Sequence, residues 1–121
     1  MGAISFALPY TPETVAKGYE FIAELTGQRA DEHHQRHKLH GLQNFKIWRQ
    51  HHPVEVVIVY IEAENIEEML ESRRKADHAF EQWFDEQVVG ITGYHWADAK
   101  GELLMDWHHE EGHRHHAQAH A

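Results

Sequence analysis

Ile4, Phe6 and Leu8 alternate with Ser5 and Ala7, a two-residue period that predicts a first strand, and Pro9 ends it. Thr11 and Pro12 then open a helix. Proline fits the first helical position, and Glu13 adds a negative charge at the positive end of the helix dipole. Val15, Gly18, Ile22 and Leu25 give that helix one apolar face. Gly27 either ends it or sits inside it at a cost of about 1 kcal/mol, whereas Gly41, preceded by Lys38 and His40, has the chemistry of a C-terminal stop. Two strands follow over 42–49 and 54–62, joined by the polar turn Gln50, His51, His52, Pro53. Asn65 and Glu68 form a capping box for a second helix with the core face Ile66, Met69, Leu70, Phe80, Phe84 and Val88. A strand is expected over 91–96. The turn residues Asp98, Ala99, Lys100 and Gly101 then lead into 102–107, read as a short fifth strand that would extend the fold as a C-terminal β-hairpin.

The order strand, helix, strand, strand, helix, strand is the ferredoxin-like βαββαβ arrangement, an α+β fold with both helices on one face of an antiparallel sheet. Residues 1–107 form a single domain on this reading, and 108–121 a His-rich tail. Val56 to Ile61 are six consecutive apolar or aromatic residues, so both faces of that strand should be dry. Helices cover one face, and a second copy of the chain would cover the other, giving a homodimer.

On that topology, over about residues 3 to 96, the chain resembles the dimeric α/β-barrel superfamily. This superfamily includes antibiotic-biosynthesis-type and haem-degrading monooxygenases and chlorite dismutase. The stretch Ser72 to Phe84, SRRKADHAFEQWF, is similar to the second helix of its small monooxygenase-like members. The resemblance implies a homodimer with a small-molecule pocket between helices and sheet, and a monooxygenase-like oxidoreductase activity.

Charge narrows the partners. Twenty acidic residues against eleven basic ones leave a net charge of −9 with histidine neutral, and protonation of the fourteen histidines would reverse its sign. An acidic surface with no Lys/Arg stripe argues against nucleic acid. No stretch approaches the roughly 20 apolar residues of a membrane span, and Met1 to Tyr10 lacks the basic start of a signal peptide. The absence of cysteine excludes disulfides and thiolate metal sites, which fits a cytoplasmic protein.

Histidine is the candidate chemistry. If the first helix runs unbroken to His40, then His33, His37 and His40 lie about 20°, 60° and 0° from Ile22, turning its apolar stripe into a histidine stripe. Three imidazoles so placed could hold a divalent metal ion such as zinc, nickel, copper or iron, with water or Glu32 completing the set. This is the non-enzymatic, metal-binding alternative, to which the tail from His108 onward would contribute. If the helix ends near Gly27, the phase is lost and the segment is a solvated His/Arg/Lys stretch.

On the second helix Arg73 and Asp77 fall about 20° either side of Ile66, within the apolar face, as i, i+4 partners. Charges cost several kcal/mol there unless paired. They are either a structural ion pair or groups that orient a substrate, with His78 nearby as an acid or base. Trp48, Tyr60, Tyr94, Trp96 and Trp107 are either pocket walls for a flat molecule or ordinary core and interface aromatics.

Overall fold

The alternation of Ile4, Phe6 and Leu8 places these side chains on the inner face of β1 (Gly2–Pro9), while Ala3, Ser5 and Ala7 face outward. A computed structural model describes residues 2–109. After β1 come α1 (Val15–Thr26), α2 (Ala30–Leu39), β2 (Leu42–Gln50), β3 (Val56–Ala63), α3 (Ile66–Lys75) and α4 (Ala79–Thr92). Short 3-10 turns lie at Pro12–Thr14 and Trp96–Asp98. Three antiparallel strands in the order β1-β3-β2 form one sheet, with Phe6 opposite Val59 and Ile47 opposite Val59 from the other side. This is an α+β fold in which the helices cover one sheet face. Phe6, Leu8, Val59, Ile61 and Ala63 meet Phe21, Leu25, Met69, Phe80, Phe84, Val88 and Ile91 in a single core. No helix among the described residues is long and apolar enough to cross a membrane.

Three expected elements differ. The first helix breaks at Gly27, where a Cβ would fall 2.8 Å from the Ala23 carbonyl oxygen, and Arg29 N donates back to Glu24 O before α2 starts. The second helix breaks at Ala76 and His78, both extended. The run Ser72, Arg73, Arg74, Lys75 ends α3, and His78 Nδ1 accepts from Phe80 N to start α4. The strand expected over 91–96 is absent. Phe80, Phe84, Val88 and Ile91 keep helical spacing, so α4 runs to Thr92 and stops at Gly93 in the left-handed conformation (φ 85°). Residues 99–107 form no strand and hence no hairpin, and Leu103, Leu104, Met105 and Trp107 are exposed. This segment passes so close to β1 that a Cβ on Gly101 would overlap the Ser5 carbonyl oxygen.

The outer sheet face carries Val56, Ile58 and Tyr60, half-buried, with Trp48 half-exposed beside them. Tyr60 lies near enough to Asp106 to feel its charge. Burial first, then the Glu62 and Asp106 carboxylates, push its hydroxyl above the usual phenol range. Among the described residues no helix covers this face.

Candidate functional site

The helices stand off the sheet far enough to leave a cavity between the two layers that opens to solvent at one end. Its walls are apolar: Phe6, Phe21, Phe45, Val59, Phe84 and Val88 are among them. Polar groups occur at two levels. Arg49, Tyr10, Tyr19 and Thr14 stand at the mouth, where Tyr19 is 59% exposed. His37, Arg73 and Trp96 line the cavity together with Met69 and Ile61, which are almost fully buried.

Arg73 reaches the cavity from α3, two turns after Ile66, and its guanidinium is desolvated. Its counter-charge is Asp85 on α4, not Asp77. Nη2 donates to Asp85 Oδ1 at 2.6 Å and Nη1 to Oδ2 at 3.3 Å. Trp96 Nε1 donates to the same Oδ1 at 2.9 Å, and His95 Nε2 lies 3.3 Å from Oδ2. Asp85 is thus saturated. The guanidinium packs against Phe84 and Trp96, 5.4 and 5.3 Å from their ring centres, and keeps N–H groups that Asp85 does not use.

His33 and His37 share a face of α2, with ring centres 4.1 Å apart. Phe45 and Phe84 surround His37, and Phe45 and Phe80 flank His33. Burial, then electrostatic opposition from His33, Arg73 and His40, lower the His37 pKa to about 3 against an opposing pull from Glu81. Burial lowers His33 as well. Both rings are neutral at neutral pH, and the Nε2 atoms of both are buried without a hydrogen-bond partner.

His40 does not join them. It follows the last turn of α2, where its Nε2 lies 2.7 Å from Glu81 Oε1 and its Nδ1 2.6 Å from Ser72 Oγ. Arg36 Nε donates to both Glu81 oxygens, at 2.8 and 3.1 Å, and its Nη2 pairs with Oε1. Because ionised Glu81 only accepts, the Nε2 of His40 carries the proton toward it. Among the described residues no group of three or more His, Asp or Glu side chains is placed to hold a metal ion. The expected triad is therefore not assembled, because its third imidazole is engaged by a carboxylate and a hydroxyl. Of the tail histidines, those beyond His109 lie outside the described residues.

Asp77 and His78 sit in the break between α3 and α4. Asp77 is exposed, its backbone carbonyl accepting from Gln82 Nε2, and His78 starts α4. Neither lines the cavity. Of the aromatics singled out, Trp96 lines it, while Trp48, Tyr94 and Trp107 are exposed. Asp85, Glu81 and Arg49 were not singled out. Arg49 had a signal, since it continues the inward alternation of Phe45 and Ile47 as a charge on an apolar face.

No protein-family model matches the chain, and no curated protein matches its sequence. Among solved structures, tetracenomycin F2 cyclase from Streptomyces glaucescens, a type-II polyketide cyclase, is similar with a TM-score of 0.58. The identity is 20%, covering 89% of this chain and 98% of that one. At that identity the likeness establishes a shared fold.

Proposed function

We propose that this protein binds an elongated, flat and mainly apolar small molecule in the cavity between helices and sheet, with Arg73 and His37 as its inner polar anchors. The observation that carries this reading is the pairing of a desolvated guanidinium with an unpartnered imidazole in otherwise aromatic and aliphatic walls. Such a site suits a molecule rich in carbonyl or phenolic oxygen. Arg73 would hold a carbonyl oxygen and stabilise negative charge developing there, and the neutral His37, through its unpartnered Nε2, would accept a hydrogen bond from a ligand hydroxyl. The shared fold with a polyketide cyclase makes ring closure the reaction class that this pair fits. In that step the α-carbon of a ligand enol, its O–H donating to His37 Nε2, attacks a second carbonyl carbon, and the enol proton passes to that carbonyl's oxygen. On the monooxygenase-like reading Arg73 and Asp77 orient the substrate while His78 or the helix-1 histidines supply acid/base function; of these Arg73 and His37 line the cavity, and Asp77 and His78 do not.

Fluorescence titration with 1,8-dihydroxyanthraquinone tests the reading through Trp96. Binding at micromolar concentration is expected, and Gly18→Leu should weaken it at least tenfold. A Cβ at Gly18 meets only Ile91, at 3.9 Å, so leucine has room to grow into the cavity, and it also favours the helix by several tenths of a kcal/mol. A wild-type protein that ignores the ligand, or a Gly18→Leu variant that binds it unchanged, would sink the idea.

The second copy expected from the sequence belongs to this proposal. Val56, Ile58 and Tyr60 are the residues of β3 that would pack across a two-fold interface. Sedimentation at micromolar concentration should give a dimer, and Ile58→Asp a folded monomer. A wild-type monomer would dispose of that interface.

A further inference from the structure

Arg49 is the one charged side chain on the inward face of β2, and it stands at the opposite end of the cavity from Arg73. It pairs with Val57 in the β2–β3 ladder, whereas Phe45, four residues earlier, pairs with Ile61 beside the inner anchors. At the strand rise those levels are about 13 Å apart.

The hydrogen bonding around Arg49 has a direction. Nε donates to Tyr10 Oη at 2.6 Å, and Nη1 donates to Tyr19 Oη at 2.7 Å. Each phenol oxygen is thereby an acceptor, which leaves its own O–H to donate elsewhere, polarised by the guanidinium behind it. Nη2 has only the partly exposed Glu55 carboxylate, at 3.5 Å. The two phenol rings flank the guanidinium, 5.1 and 5.6 Å from its carbon. The mouth therefore presents a positive charge with spare N–H groups and two aimed O–H donors, a set that only an acceptor can satisfy.

We propose that Arg49, Tyr10 and Tyr19 form a recognition site for a ligand carboxylate, so that the cavity selects molecules with an apolar body and one acidic end. The proposal rests on the cavity being a ligand site. The carboxylate displaces Glu55 from Nη2, accepts from the guanidinium and from both phenols, and leaves the apolar body lying inward toward Arg73 and His37.

Titration with naphthalene-2-carboxylate and with its neutral counterpart 2-acetylnaphthalene separates the two claims. The acid should bind at least tenfold more tightly to the wild type. Arg49→Met should abolish that preference while leaving the neutral compound within about twofold. Tyr10→Phe and Tyr19→Phe should each weaken only the acid, severalfold, and their double variant carries the same test should Arg49→Met not fold. If neither compound binds, the cavity reading falls and this inference with it. If both bind equally well, or the preference survives in Arg49→Met, the carboxylate site is refuted while the cavity reading stands.

Discussion

Glu81→Ala is expected to destabilise the protein by about 3–5 kcal/mol, the usual loss when one member of a buried ion pair is removed. Glu81 is 1% exposed and receives Arg36 and His40. It ties the end of α2 to the start of α4, and through His40 and Ser72 to α3. Alanine would leave a guanidinium and an imidazole facing each other without a counter-charge. Burial by itself would raise the Glu81 pKa, but the hydrogen bonds from Arg36 and His40 outweigh it and hold the carboxyl at about 2. A carboxyl pKa depressed on folding contributes stability that is complete above the ordinary value of 4.5 and lost as pH falls from there toward 2. Urea titration of Glu81→Ala at pH 7 measures it, and a change under 1 kcal/mol would mean that the network holds nothing together.

A second large effect lies at His37, in a different pH range. Its pKa of about 3 is below the ordinary 6.5, so the unfolded chain binds a proton that the folded protein refuses. Stability is then complete above 6.5 and falls by about 1.4 kcal/mol per pH unit as the solution is acidified toward 3. By pH 5 the loss is about 2 kcal/mol. His37→Phe keeps an aromatic ring against Phe45 and Phe84 and removes the titrating group, so its stability should change far less between pH 7.5 and 5. What slope remains belongs to His33, lowered for the same reason. Melting curves across that range decide the matter, and superimposable pH profiles for the two proteins would refute it.

The strands were legible because their alternation is local. Phe6, Leu8, Val57 and Val59 point inward as the two-residue period requires, and the six-residue apolar run marks a strand whose two faces both carry apolar side chains. Helix ends were less so, since they depend on what the next turn can do. Arg73 reached its expected place because the phase from Ile66 holds to the end of α3. Asp77 did not, because the same angle was carried across a break that the Arg73, Arg74, Lys75 run and the His78 cap impose. His33 and His37 do share the core face of α2, but the continuity with α1 that would have set their phase ends at Gly27. Residues 91–96 misled because Ile91 and Thr92 favour strands one at a time, while the spacing of Phe84, Val88 and Ile91 gives the helix a buried face to extend. Asp85 is twelve residues from Arg73 and meets it only in three dimensions.

β1 ends the sheet, and among the described residues no fourth strand lies beside it. An open strand edge is a template on which another chain can crystallise into fibres. The approach of Gly101 to Ser5 lays a stretch of chain across that edge, close enough that any residue larger than glycine would have to be pushed away. Clipping the chain before residue 99 would bare that edge to cross-β pairing, and the expected first sign is turbidity in a stored solution, before any ligand was added.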